Sequence, residues 1–392
     1  MIIKPKVRGF ICTTAHPEGC AVSVQEQIDY VESQKIETQG PKNVLVIGCS
    51  TGYGLASRIT TAFGFGANTL GVMFEKEATE KRTGTAGWYN TKAFESKAKD
   101  KGLYAESLNL DAFAHDAKDA VIEKIRANMD KIDLVVYSLA SPRRKDPDSG
   151  EIYNSVLKPV GETVTRKTLN TDSQEVSEIT IETATEEEIA NTINVMGGAD
   201  WELWIEALSK AGVLAEGVKT TAYTYIGKEL TWPIYGGATI GKAKEDLDRA
   251  AQAITSKLSG SLNGSAYVSV LKAIVTQSSS AIPVMPLYIS LLYRVMKENG
   301  THEGSIEQVS ALMFNELFGD SELTLDDSNR IRVDLKELTD EVQNKVEALW
   351  HQVTSENLNE LSDFEGYQKD FFKLFGFGYD QVDYDADCDP LV

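Results

Sequence analysis

Short apolar runs punctuate the chain from Asn43 to Ser141, at Val44–Ile47, Thr69–Phe74, Leu103–Leu110 and Ile132–Ser138, with helical patterns between them. Runs of that length read as strands, and their regular alternation with helices reads as successive β-α units around a parallel sheet. Leu55, Ile59 and Phe63 recur at a spacing of four, which gives one apolar helix face turned to the sheet, and Gly64-Phe65-Gly66 ends that helix. From Pro142 to about Thr185 the texture becomes polar and turn-rich, with short alternations at Glu151-Ile-Tyr and Glu178-Ile-Thr-Ile. It predicts an excursion containing a β-hairpin that leaves the sheet at the edge where ligand binds. Helices then cover Glu186 to Ala211, a strand at Lys219–Ile226 re-enters the sheet, and a long helix runs from Gly237 to Leu258. A strand at Ala266–Val275 follows. The apolar stretch Ala281–Val295 is interrupted by Pro283 and Pro286, so it reads as an irregular entry into a helix. The tail is helical and acidic and ends in polar residues with the look of disorder.

The expected fold class is therefore α/β: a doubly wound parallel sheet flanked by helices, with an inserted hairpin and helical excursion on the substrate side. The expected organisation is a single domain over residues 1–392, with its core at 43–141 and 218–300, an insertion at 142–217 and a helical C-terminal extension at 301–392.

Composition agrees with a globular chain able to bury a large core, at 42% hydrophobic and 25% charged residues over 392 positions. No run approaches the roughly 18–20 uninterrupted apolar residues of a membrane span, and the start MIIKPKVRGF lacks the apolar core of a signal peptide. A cytoplasmic protein without a membrane partner is expected. Four cysteines, Cys12, Cys20, Cys49 and Cys388, are too few for a disulfide scaffold in a chain of this size. The formal net charge of −20 repels phosphate backbones and argues against general nucleic-acid binding. Cys12, His16 and Cys20 are evenly spaced, but three ligands without a fourth make a poor zinc site, and an ordered N-terminal segment packed on the domain is the expectation. His115, His302 and His351 have no paired ligand and read as surface or satisfied histidines.

Chemistry enters at Val44-Leu-Val-Ile-Gly48-Cys49-Ser50-Thr51-Gly52-Tyr53-Gly54, a buried strand running into a glycine-rich turn and then a helix. Glycines let the backbone approach a pyrophosphate, and the free N–H groups and dipole of the helix N-terminus offset its charge. The spacing G-x3-G-x-G resembles the short-chain dehydrogenase/reductase superfamily and its Rossmann-type fold. Glu75 ends the second strand, 21 residues past Gly54, where a carboxylate accepts from the adenosine ribose hydroxyls and repels a 2′-phosphate. NADH is thus expected over NADPH, with Lys76 alongside to soften the preference; the plain alternative is an exposed glutamate at a strand end. Asp111-Ala112 and Leu139-Ala140 end two more strands at the same crevice, and helix capping is the alternative for Asp111.

Superfamily reductases use a tyrosine as proton donor with a nearby lysine that binds the nicotinamide ribose. The common Y-x3-K is absent here, because Tyr235 is followed four residues later by Thr239. Helix geometry chooses between the next two lysines. The apolar stripe is Ile240, Ala243, Leu247, Ala251 and Ile254; Lys244 falls within about 40° of Ile240, whereas Lys242 points to solvent. A lysine on a buried face is costly unless paired or bound to ligand, which marks Lys244 for function over a side chain that snorkels to a surface carboxylate. Tyr225, at the end of Tyr223-Thr-Tyr225-Ile-Gly, faces the crevice from the other side and is either a substrate contact or a core tyrosine with a satisfied hydroxyl.

The chain resembles the FabV-type enoyl-acyl-carrier-protein reductases and the closely similar trans-2-enoyl-CoA reductases over essentially its whole length. The resemblance is carried by MIIKPKVRGFICTTAHPEGC, GCSTGYG, GTAGWYN at Gly84–Asn90, YSLASP at Tyr137–Pro142, VMGG at Val195–Gly198, TYIG, and the pair Tyr235 and Lys244 with eight residues between them. It implies an enlarged Rossmann fold and a monomeric, NADH-preferring reductase of enoyl thioesters carried on acyl carrier protein or coenzyme A. It further implies Tyr235 as proton donor, Tyr225 on the thioester and Lys244 on the cofactor. Cofactor contacts are implied from Gly48 to Tyr53 and at Phe74, Glu75, Asp111, Ala112, Leu139, Ala140, Ile274, Val275 and Thr276. The apolar stretch Ile282–Leu292 is the candidate acyl wall, with ordinary core packing as the alternative. Arg143-Arg144-Lys145 is either a phosphate contact or a solvated turn. Rival readings are a carbonyl reductase or alcohol dehydrogenase of the same superfamily, and a dinucleotide-binding regulator without turnover.

Overall fold

Seven strands form one sheet in the computed structural model, which describes all 392 residues. They are β1 (Asn43–Ile47), β2 (Asn68–Met73), β3 (Ala105–Asn109), β4 (Ile132–Tyr137), β5 (Leu214–Thr224), β6 (Ser265–Val270) and β7 (Arg330–Arg332). All neighbours pair in parallel, in the order β3-β2-β1-β4-β5-β6-β7. The chain grows outward in one direction from β1 and in the other from β4, which makes the sheet doubly wound and puts its switch point between the carboxyl ends of those two strands. Strand alternation divides β1 between two cores: Val44 and Val46 face one, Leu45 and Ile47 the other, and all four are fully buried.

The long helix after the switch runs Thr239–Leu262 and buries Ile240, Ala243, Leu247, Ala251, Ile254 and Leu258, the predicted stripe with one further turn. Each large aliphatic side chain so buried contributes about 1.5–3 kcal/mol, which is why this face rather than helix propensity fixes the helix orientation.

Several expectations need correction. The polar excursion holds two hairpins, Arg143–Lys145 with Ile152–Asn154 and Val164–Asn170 with Glu175–Ile181. Strand β5 begins at Leu214, not Lys219, because Gly217 at φ +72° allows a register shift between Leu214 and Lys219 where the sequence reads as a turn. Strand β6 stops at Val270, five residues short of the expected end. Beyond it the backbone N–H groups of Lys272 and Ala273 donate to the side chains of Gln308 and Glu337 instead of to a neighbouring strand. Finally, the C-terminal residues are ordered: Phe375, Phe377, Tyr379 and Val382 are buried, His16 packs edge-on against Phe377 and Tyr384, and the N-terminal amine donates to the Cys388 carbonyl at 2.6 Å. Aromatic anchors spaced through an acidic segment override its composition.

The N-terminal segment packs on the domain as a helix at Pro17–Ser33. His16 accepts at its N-terminus from the Gly19 amide, Cys20 is buried against Gly376, and Cys12 bonds to the Thr14 carbonyl, so the three residues serve separate contacts. His302 departs from the reading of a surface or satisfied histidine, because its Nδ1 is buried without a partner beside Tyr293.

Candidate active site

At the switch point Gly48 leaves β1 with φ +84°, and a Cβ built there would lie 2.0 Å from the Ser138 carbonyl oxygen. Only glycine lets the end of β1 pass so close to the end of β4. Gly52, at φ +52°, opens the helix Gly52–Ile59 after Thr51, whose side chain makes no cap, so the first N–H groups of that helix remain available to an anion. The loop side chains divide by role. Cys49 is buried and its sulfur accepts from Arg58 Nη1 at 3.8 Å, so only its backbone serves the crevice. The Tyr53 hydroxyl donates to the Lys272 carbonyl at 2.7 Å, tying the glycine loop to the segment before Ile274–Thr276. A cavity of about 180 Å³ lies where Thr51, Gly52, Ile274 and Val275 meet, bordered by Tyr293, Asp370 and Tyr379. Thr276 itself caps the short helix Gln277–Ser280.

Glu75 follows β2 at the crevice. Its two carboxylate oxygens accept from Ser50 Oγ at 2.6 Å and Thr85 Oγ1 at 2.5 Å, and its backbone is clamped on both sides by the Asn109 side chain. Each oxygen keeps a lone pair for a ribose hydroxyl. A Cβ at Gly87 would lie 2.1 Å from Glu75 Oε1, so the glycine of GTAGWYN makes room for this carboxylate. Phe74 beside it is 79% exposed. Asp111 is exposed and accepts from the Phe113 amide at 3.0 Å; the next helix starts at His115 and is not capped by it. Ala112 is pinned from below: its carbonyl accepts from Lys118 Nζ and Trp204 Nε1, and Lys118 is buried against Asp200, which also accepts from Tyr137. Leu139 and Ala140 follow β4 over Gly48, with Leu139 Cδ2 3.0 Å from a Cβ built there.

Tyr225 and Tyr235 meet edge to face with ring centroids 5.0 Å apart, although they come from opposite ends of a loop. Tyr235 is 9% exposed in a small cluster with Ala238 and Ile240, bordered by Leu157, Met196 and Ile282. Burial pushes its phenol up, opposed by the Tyr225 backbone N–H, so the proton stays on the oxygen at neutral pH. Lys244 is half-buried and turned towards the sheet, where its Nζ donates to the Tyr223 carbonyl at 3.3 Å. Desolvation lowers its pKa to about 8, with Asp248 one turn away opposing the shift. Lys242 lies on the outer face in an ion pair with Glu245 at 2.7 Å. The structure thus places the lysines as the helix arithmetic predicts.

Two other candidates split. In the basic triplet Arg144 is buried, donating to the Asn194 carbonyl at 2.8 Å, while Arg143 and Lys145 are exposed, so a phosphate would meet two cations and not three. Of the proposed acyl wall only Ile282 borders the Tyr235 cluster; Val284 to Leu292 belong to the main core.

Residues 82–318 match the catalytic region of trans-2-enoyl-CoA reductase, and residues 2–80 match its NAD(P)H binding domain. Residues 325–388 match an enoyl reductase FAD binding domain. The enoyl-[acyl-carrier-protein] reductase [NADH] of Teredinibacter turnerae is 64% identical over 392 residues, covering 100% of this chain and 98% of the relative. The enoyl-[acyl-carrier-protein] reductase [NADH] FabV of Aeromonas salmonicida is 58% identical, covering 100% and 98%. Among solved structures, the trans-2-enoyl-CoA reductase of Clostridium acetobutulicum in complex with NADH superposes with a TM-score of 0.96 at 43% identity, covering 100% of this chain and 98% of that one. The Treponema denticola enzyme in complex with NAD gives 0.94 at 48%, covering 99% and 98%.

The glycine cradle, the free helix N-terminus and the half-exposed Glu75 fit a dinucleotide. A flavin does not fit residues 325–388. That segment has one three-residue strand and no glycine-rich strand-to-helix turn, and Trp350, Phe364, Tyr367 and Phe371 are buried in the main core instead of lining a slot for a flavin ring.

Proposed function

We infer the roles of individual residues from the premise that this chain belongs to the family of trans-2-enoyl-CoA reductases and NADH-dependent enoyl-[acyl-carrier-protein] reductases. It is an NADH-dependent enzyme that reduces the trans-2 double bond of enoyl thioesters in fatty-acid synthesis, with acyl-carrier-protein thioesters as substrate class. NADH, when bound, supplies the hydride that adds to the β-carbon of the enoyl group. Negative charge then develops on the thioester carbonyl oxygen, and Tyr235 donates to it, with Tyr225 as a second contact. The proton that Tyr235 gives to the enolate oxygen passes to the α-carbon as the enol collapses to the saturated thioester, and solvent returns a proton to the tyrosine. Lys244 binds the nicotinamide ribose; the glycine loop Gly48–Tyr53 holds the pyrophosphate; Glu75 and Phe74 meet the adenosine, with Asp111-Ala112, Leu139-Ala140 and Ile274–Thr276 lining the rest of the crevice. The observation that carries this reading is the convergence of Tyr225, Tyr235 and Lys244 on the carboxyl-end side of β5, next to the glycine cradle.

The chain acts as one folded unit and as a monomer in the cytoplasm, and it accepts coenzyme A thioesters as well as carrier-protein thioesters. The test is NADH oxidation with crotonyl-CoA, a longer enoyl-CoA and the matching enoyl carrier protein, beside a ketone panel. Turnover with both carriers and none with ketones is expected. Turnover with the carrier protein alone removes coenzyme A from the reading, and ketone turnover would restore the carbonyl-reductase alternative.

Cofactor preference is testable separately. Glu75→Gln keeps the size and removes the charge that repels a 2′-phosphate, so the ratio of kcat/KM for NADPH to that for NADH is expected to rise about tenfold or more, in line with the cost of like charges at close range. An unchanged ratio would place the discrimination elsewhere in the crevice.

A further inference from the structure

Glu337 is fully buried, and it lies in the C-terminal extension, outside the matched catalytic region. Its Oε1 lies at hydrogen-bond distance, 3.1 Å, from the Tyr225 hydroxyl oxygen and accepts from the Tyr288 hydroxyl at 2.8 Å, and its Oε2 accepts from the Ala273 amide at 2.6 Å. Gln343 closes the group, donating to the Tyr288 hydroxyl at 3.0 Å and to the Glu337 carbonyl at 2.8 Å. Lys272, whose ammonium bonds to the Ala273 and Glu303 carbonyls, is the cation on this side, and Asp334 is a further acid that acts on Glu337. A buried carboxyl is expensive to retain unless it does something a hydrophobic residue cannot. Here two of its contacts, Tyr288 and Ala273, come from the core and hold the carboxyl still, while the third reaches the tyrosine beside Tyr235.

We propose that Glu337 is a positioning residue for enoyl reduction, one that fixes the direction of the Tyr225 hydroxyl towards the thioester carbonyl. Tyr225 has one proton and must choose between acceptors: Glu337 Oε1 at 3.1 Å, Thr231 Oγ1 at 3.4 Å, or the substrate oxygen. A carboxyl that carries its own proton on Oε1 donates to the Tyr225 oxygen and leaves the tyrosine proton for the substrate. Burial raises the Glu337 pKa, which favours that neutral form, while Lys272 opposes it. The C-terminal extension thereby supplies part of the active-site geometry.

The inference rests on the reading of Tyr225 as a substrate contact, so the two are tested together. Glu337→Asp withdraws the carboxyl by one methylene while keeping its chemistry, and Glu337→Gln keeps the reach and mimics the protonated acid. On the wild-type background, Glu337→Asp is expected to lower kcat/KM for the enoyl thioester about tenfold, the scale of one lost hydrogen bond to a developing charge. NADH affinity should stay within about twofold, and Glu337→Gln should stay within about threefold of wild type. On a Tyr225→Phe background, Glu337→Asp should cost no further activity, because the hydroxyl it aims is gone. The same fractional loss on both backgrounds, or wild-type activity of Glu337→Asp, overturns the inference while leaving the Tyr225 reading intact. Full activity of Tyr225→Phe overturns the Tyr225 reading, and the inference with it.

Discussion

Tyr235→Phe is expected to lower kcat for enoyl-thioester reduction by about 10²–10⁴-fold, the range that a positioned general acid supplies. The substitution removes one oxygen and leaves the ring, which packs edge-on against Tyr225 and beside Ala238 and Ile240. Packing is therefore conserved, and the melting temperature should move by only a few degrees. NADH binding, followed by fluorescence titration, should stay within about twofold, because the glycine cradle, Glu75 and Lys244 are untouched. The loss should fall on kcat more than on KM, since the hydroxyl's contact strengthens as charge develops on the carbonyl oxygen. Retention of kcat within about threefold would mean that another group, with Tyr225 the first candidate, donates the proton.

Much of the candidate site was legible because its parts are local. A buried strand, a glycine turn and a helix follow one another in sequence at Val44–Ile59, and a carboxylate ends the next strand at Glu75. Lys244 was legible for a different reason: helical geometry turns a sequence offset into a direction, and the apolar stripe of Thr239–Leu262 says which direction is inward. What sequence reasoning missed is tertiary. Nothing along the chain says that Gly87 lies against Glu75, that Ser50 and Thr85 share its two oxygens, or that Lys118 and Asp200 hold Ala112 from below. Glu337 is more than 100 residues from Tyr225 and reads as one acid in an acidic tail. Arg144 reads as the middle of a basic run, and only the strand alternation of Arg143–Lys145 turns it inward. A faint signal existed for the C-terminal residues, in the aromatic spacing Phe375, Phe377, Tyr379, which their acidic surroundings obscured.

Lys244 and Lys242 lie two residues apart on one helix, so substituting each in turn isolates direction from charge. Lys244→Ala is expected to lower kcat/KM for NADH by about 10²-fold, on the scale of losing a charge-assisted bond pair in a partly desolvated site. Lys242→Ala removes an exposed partner of Glu245, and both activity and stability should stay near wild type. The depressed pKa of Lys244 adds a pH signature. In the proposed role its ammonium is the form that donates to ribose hydroxyls, and in the cofactor-free protein that form is lost as pH rises through about 8, so kcat/KM for NADH should fall above that value. Lys244→Arg, which stays charged, should carry the falling limb to higher pH even if its absolute rate is lower. Stability runs the other way. The folded-state pKa lies below the ordinary 10.5, so the unfolded chain binds the proton more tightly, and the burial of Lys244 costs stability below about pH 8. That cost diminishes as pH rises from about 8 towards 10.5, and denaturant titrations of wild type against Lys244→Met should show the gap between them narrowing over that window. Equal losses from Lys242→Ala and Lys244→Ala, with the same pH profile in both, would mean that the helix merely lends positive charge to the crevice and that no lysine is aimed at the cofactor.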